Sequence, residues 1–161
     1  MKLLVLGIGN TLLTDEGVGI AAMHELRARF GARADLEFLD GGTLSFTLAA
    51  PIAECSALLV IDAAELGEAP GVVRSFEGDA MDRFLGENRK RSVHEVGLVD
   101  LRSISLLSGH WPAQRALIGI QPAKVDWGTA LSPAVGAALP QVCSIAAGII
   151  ERFTRPGNAT G

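Results

Sequence analysis

The chain has 161 residues, 48% of them hydrophobic and 20% charged, which is enough for one compact domain with a sizeable core and too few to suggest two. A net charge of -4 and a pI near 5.3 argue against a protein whose main business is nucleic acid or anionic membrane, since both need a concentrated positive surface. No nucleic acid and no membrane is expected as partner.

The two cysteines, Cys55 and Cys143, have no Cys-x-x-Cys spacing and are too few for a disulfide scaffold, so both are expected reduced in or near the core. The apolar start Leu3-Leu4-Val5-Leu6-Gly7 ends too early for a signal peptide and has no small-x-small cleavage site after it. No stretch approaches the length of a transmembrane helix in this reading. A soluble, cytoplasmic monomer is expected.

Residues 2–8 read as a fully buried strand, and 16–30 as a helix with Gly19, Ala22, Met23, Leu26 and Phe30 on its inner face and Thr14 as its N-cap. Residues 35–40 alternate and break at Gly41 and Gly42, giving a second strand and a turn. A helical stretch follows from 44 to about 55, which Pro51 kinks or trims. The run 57–62 is a third strand. Residues 71–77 make a fourth, and because the link into it is too short for a parallel crossover it should run antiparallel, at or near an edge.

A short helix is expected over 79–86, an exposed basic loop around Arg89-Lys90-Arg91, and a helix over 97–107 from apolar residues spaced by three. The fifth strand spans 115–121 and stops at Pro122. The stretch 132–155 is helical in its spacing, but Pro140 conflicts with one straight helix, so a separate first turn is expected and a main helix starting near 140. Strands alternating with helices imply a single α/β domain over 1–155 with a frayed tail over 156–161. The expected architecture is three-layered: a twisted, mostly parallel sheet of five strands with helices on both faces and one antiparallel strand.

In open sheets of this kind ligands collect outside the carboxyl ends of the strands, where neighbouring crossovers leave on opposite sides. Glu16 lies just beyond the first strand and Asp62 ends the third, so the two share one crevice if those strands are neighbours. His94, in a polar approach to the next helix, would close it. Two carboxylates and an imidazole make a mixed oxygen and nitrogen site suited to a first-row divalent metal with open positions.

Blander roles fit each residue as well. Asp15 and Glu16 suit a helix N-terminus electrostatically, Asp62 suits a turn, and a lone His94 among charges suits solvent. His24 and His110 are weaker candidates. Two familiar motifs are absent. Gly7 and Gly9 begin a dinucleotide fingerprint, but Leu12 stands at its third glycine and an acidic pair where pyrophosphate would lie. His94-Glu95 begins a zinc-protease helix, but Leu98 stands where the second histidine belongs.

Five stretches follow one another along the chain: Gly7-Ile8-Gly9-Asn10 through Asp15-Glu16-Gly17-Val18-Gly19, Asp40-Gly41-Gly42-Thr43, Val60-Ile61-Asp62-Ala63, Ser92-Val93-His94 through Asp100-Leu101, and Gly119-Ile120-Gln121-Pro122 with Leu131-Ser132-Pro133. In these stretches and their order the chain resembles the nickel-iron hydrogenase maturation endopeptidases. The resemblance covers nearly the whole chain. It implies a protease that removes a C-terminal extension from the hydrogenase large-subunit precursor after nickel insertion.

In that family the metal-contacting positions match Glu16, Asp62 and His94, and Asp40 to Thr43 match a turn associated with choosing the cognate large subunit. The nickel is expected to be carried by the substrate, with another divalent metal able to substitute in the isolated protein. Hydrolysis is then metal-assisted, with water as nucleophile, or of an aspartyl type in which the metal only places the scissile bond and Asp15 or another carboxylate assists. The alternatives are a nucleotide-binding regulatory module and a non-proteolytic nickel chaperone.

Overall fold

The computed structural model describes residues 2–42, 46–87, 98–107 and 109–157. Five strands, β1 (Leu3–Gly7), β2 (Leu36–Asp40), β3 (Ala57–Ala63), β4 (Val73–Glu77) and β5 (Gln114–Ile120), form one sheet in the order β2-β1-β3-β5-β4. All neighbours are parallel except β4, which runs antiparallel to β5 at the edge. The short link from β3 to β4 imposes this, as anticipated.

The helices are α1 (Val18–Phe30), α2 (Ala49–Glu54), α3 (Asp79–Glu87), α4 (Leu98–Leu107) and α5 (Pro133–Phe153). Because side chains alternate along a strand, the sheet buries two separate cores. Leu3, Val5, Leu59, Ile61 and Ile118 face α1 and α5, whereas Leu4, Leu6, Leu58, Val60 and Leu117 face α2 and α3. The central strands β1 and β3 are therefore apolar on both faces, which is why they read as unbroken runs.

Three expectations need correction. Thr14 does not cap α1: a 3-10 turn over Thr14–Gly17 precedes the helix, and no side chain caps it. Pro140 does not divide the last helix, because α5 is continuous and Pro140 lies on its exposed side, where water can reach the carbonyl that the proline leaves without a donor. The 21 residues of α5 are also long and apolar enough to cross a membrane by length and composition, which the sequence reading denied. Here α5 packs on β3, β4, β5 and α1 as a core helix.

The helix expected from 44 resolves into a 3-10 turn at Phe46–Leu48 and α2, with Pro51 in the first turn, where its missing N–H costs nothing. The basic loop at 89–91 lies outside the described residues, as does the tail beyond Gly157.

Candidate active site

The site lies where the chain reverses its winding. From β1 the chain passes through α1 to β2 on one side, then returns through α2 to β3 on the other side, leaving a crevice between the ends of β1 and β3. Gly7 pairs with Ile61, so Asp62 stands one residue beyond the last β1 partner. Ile8 N–H still donates to Ile61 carbonyl at 3.0 Å, which holds the loop after β1 against the same strand end.

Glycines let Glu16 come down onto this point. A Cβ at Gly9, whose φ is +140°, would sit 1.7 Å from the Glu16 carbonyl oxygen. A Cβ at Gly19 would lie 2.2 Å from the Ile61 carbonyl oxygen, so the first turn of α1 rests directly on β3 beside Asp62. Glu16 is buried. Burial, then the charge of Glu16, raises the pKa of Asp62 well above its ordinary value of 3.8, against one backbone hydrogen bond that lowers it. Asp62 Oδ1 is buried and, among the described residues, has no hydrogen-bond partner. Two carboxylates are thus brought close enough for the charge of Glu16 to act on Asp62.

Asp15 behaves differently. Its Oδ2 accepts from Ala123 N–H (2.8 Å), Lys124 N–H (2.9 Å) and the Ser132 hydroxyl (2.8 Å), and its Oδ1 from Ser132 N–H (2.7 Å). Desolvation would push its pKa up, but the bonds from Ser132, Lys124 and Ala123 outweigh it and hold the carboxyl below 3.8. This residue clamps the loop after β5 and the start of α5 onto the segment that carries Glu16. Thr14 joins the clamp with φ +43°, its hydroxyl donating to Lys124 carbonyl at 2.6 Å and accepting from Asp126 N–H at 3.1 Å.

The turn after β2 is fastened to the same loop. Gly41 N–H donates to Gly7 carbonyl at 2.8 Å, Gly9 N–H to Gly42 carbonyl at 2.9 Å, and Gly42 N–H to Asp40 Oδ1 at 2.8 Å. Asp40, Gly41 and Gly42 thus border the crevice, while Thr43 and His94 lie outside the described residues. Among the described residues no group of three metal-binding side chains is assembled. His24 is exposed on α1, and His110 Nε2 lies 2.7 Å from Cys55 carbonyl, away from the crevice.

Sequence reasoning passed over Gln121. Its side-chain oxygen accepts from Leu66 N–H at 2.7 Å and its amide donates to Glu65 at 3.1 Å, which fixes the loop after Asp62. A polar residue closing an apolar strand run directly before Pro122 was the available signal. Both cysteines are free and buried, as expected. Burial pushes the Cys55 thiol up to about 12, and burial together with Glu25 pushes Cys143 up to about 11, so neither supplies a thiolate nucleophile.

The fold is a doubly wound α/β domain with two carboxylates at its switch point, where sheets of this kind bind ligands. Residues 20–149 match a family model described as hydrogenase maturation protease. The chain is 33% identical over 153 residues to the hydrogenase expression/formation protein HupD of Thiocapsa roseopersicina, spanning 94% of this chain and 69% of that protein. It is 33% identical over 138 residues to the hydrogenase 2 maturation protease of Escherichia coli, spanning 85% and 83%. The solved hydrogenase maturating endopeptidase HybD from E. coli matches with a TM-score of 0.88 at 29% identity, over 96% of this chain and 94% of that one. The [NiFe] hydrogenase maturation protease HybD from Thermococcus kodakarensis matches at 0.75 and 29%, over 92% and 99%.

The chain belongs to the hydrogenase maturation protease family. It is a peptidase by that membership, and its sheet is the one the resemblance implied.

Proposed function

We propose that this peptidase removes the C-terminal extension of the nickel-iron hydrogenase large-subunit precursor in the cytoplasm, and that it reads the nickel carried by that precursor through Glu16, Asp62 and His94. The observation that supports this most is the buried Asp62 oxygen, without a hydrogen-bond partner among the described residues, beside buried Glu16. Such a pair is costly to ionise when empty and is compensated by a divalent cation. Two oxygen donors and one imidazole hold a metal loosely, so a precursor that presents nickel on its own stronger ligands fills the open positions. Nickel enters as part of the substrate and reports that the precursor is ready to be cut.

The chain's own residues then orient rather than supply the metal. Asp15, engaged at both oxygens, braces Glu16 against the loop over 122–132. The turn at Asp40 to Gly42, hydrogen-bonded to the Gly7 to Gly9 loop, borders the path of approach and suits the choice of cognate subunit, together with Thr43. A nucleotide module fits poorly, because the space that Gly9 opens is occupied by the Glu16 carbonyl and not left for a phosphate.

The test is a processing assay on purified precursor, with and without nickel. Cleavage of the nickel-loaded form alone is expected, and Glu16→Gln should abolish it. Equal cleavage of both forms would overturn nickel recognition, and metal uptake with no cleavage would favour the chaperone.

A further inference from the structure

Five large apolar side chains are exposed among the described residues, and three of them, Leu12, Val125 and Trp127, lie on the two loops that carry and brace Glu16. Leu12 is 54% exposed and Trp127 78%. These loops form a small hydrogen-bonded unit. Leu13 bridges Gly128 in parallel register, Thr14 N–H donates to Gly128 carbonyl at 2.8 Å, and Gly128 N–H donates to Leu12 carbonyl at 2.9 Å. That register sets Leu12 opposite Trp127. With Thr14 and Asp15 fastening the backbone as described, the apolar side chains are held outward on a fixed frame.

Beside this unit lies a groove of about 270 Å³ lined by Thr11, Gly17, His24, Asp40, Thr129 and Leu131. It joins Asp40, in the turn that borders the crevice, to Gly17, the residue after Glu16. The groove and the loops that bear the exposed apolar residues thus both adjoin the segment that carries Glu16.

We propose that Leu12, Val125 and Trp127 form a docking lip for the protein substrate, gripping an apolar segment of the precursor next to the scissile peptide while the groove receives its extended chain. The inference rests on the function proposed above. A protein seated on Leu12 and Trp127 rests on the two loops bonded to the Glu16 segment, which places its chain within reach of the site. A fixed indole offers large contact area at small entropic cost, as central anchors of interfaces do. Lys124 and Asp126, the exposed charges on either side of Val125, lie 3.9 Å apart and offset one another, which gives anionic lipid no concentrated positive charge to meet.

The experiment measures binding and processing of purified nickel-loaded precursor by Trp127→Ala and Leu12→Ser, with Leu107→Ser, 90% exposed on α4, as control. Both lip variants should weaken precursor binding at least ~10-fold and raise KM more than they lower kcat, and the control should match wild type. Wild type that binds precursor without cutting it would sink the protease reading, yet the lip would stand if Trp127→Ala still weakened that binding. Lip variants that bind precursor as wild type does would overturn the proposal, as would wild type that binds none. Cosedimentation with phosphatidylglycerol vesicles that is tighter than precursor binding and lost in Trp127→Ala would reassign the surface to membrane.

Discussion

Asp62 is set against its surroundings. An acid whose folded pKa is raised opposes folding at pH values above its unfolded pKa, because folding must then confine an ionised group it disfavours. Replacing it with Asn keeps the shape and removes the charge. Asp62→Asn should therefore lose processing activity by ~100-fold or more while its melting temperature stays level or rises, by up to about 2 kcal/mol in stability. Thermal melts at neutral pH beside the processing assay decide it, and a variant that melts well below wild type would show that the carboxylate is structural. That Glu16 and Asp62 meet was legible in the sequence, because the segments bearing them follow the apolar runs of β1 and β3 and neighbouring strand ends share a crevice. The role of Asp15 was not, since its partners lie 108 to 117 residues further on.

Elements here are joined by polar clamps that local patterns do not announce. Thr14 reads as a helix cap because Thr favours that place, but tertiary bonds to Lys124 and Asp126 claim its hydroxyl. Asp82 on α3 is a second clamp, accepting from Arg115 on β5 at 3.0 and 2.6 Å and from Trp111 at 3.2 Å. Desolvation would raise its pKa, but these bonds prevail and hold it below 3.8. A depressed acid stabilises above its unfolded pKa and loses that contribution as pH falls through the folded one. Asp82→Asn should thus be less stable than wild type at neutral pH, by about 1–3 kcal/mol, with the gap closing below about pH 4. Chemical denaturation across that range measures it, and a gap unchanged at low pH would count against the clamp. Pro140, exposed within α5, should be replaceable by Ala with a gain of about 1–3 kcal/mol. A lower melting temperature would mean that the proline ring itself contributes to the packing of α5.

Across the molecule, the buried place of β1 and β3 and the antiparallel β4 follow from physics available in the sequence: apolar runs demand cover on both faces, and the short link into β4 demands an antiparallel strand at or near an edge. What local spacing could not decide was how the longest apolar segment is used. The same composition that fits α5 for a bilayer fits it for a core, and only its burial pattern distinguishes them. Val142, Ala146, Ile150 and Phe153 are buried against the sheet, whereas Ser144, Gly148 and Glu151 are exposed, and a Cβ at Gly148 meets nothing within 4 Å. A core helix tolerates charge on its outer stripe, while a lipid-facing helix does not. Gly148→Lys should accordingly change stability by no more than about 0.5 kcal/mol and leave the chain in the aqueous fraction. Val142→Asp buries an unpaired carboxylate and should cost more than about 3 kcal/mol, enough to unfold much of the population. Melting curves of the two variants separate the cases: equal damage from both would mean that α5 is enclosed on every side, and equal tolerance would mean that it is not part of the core.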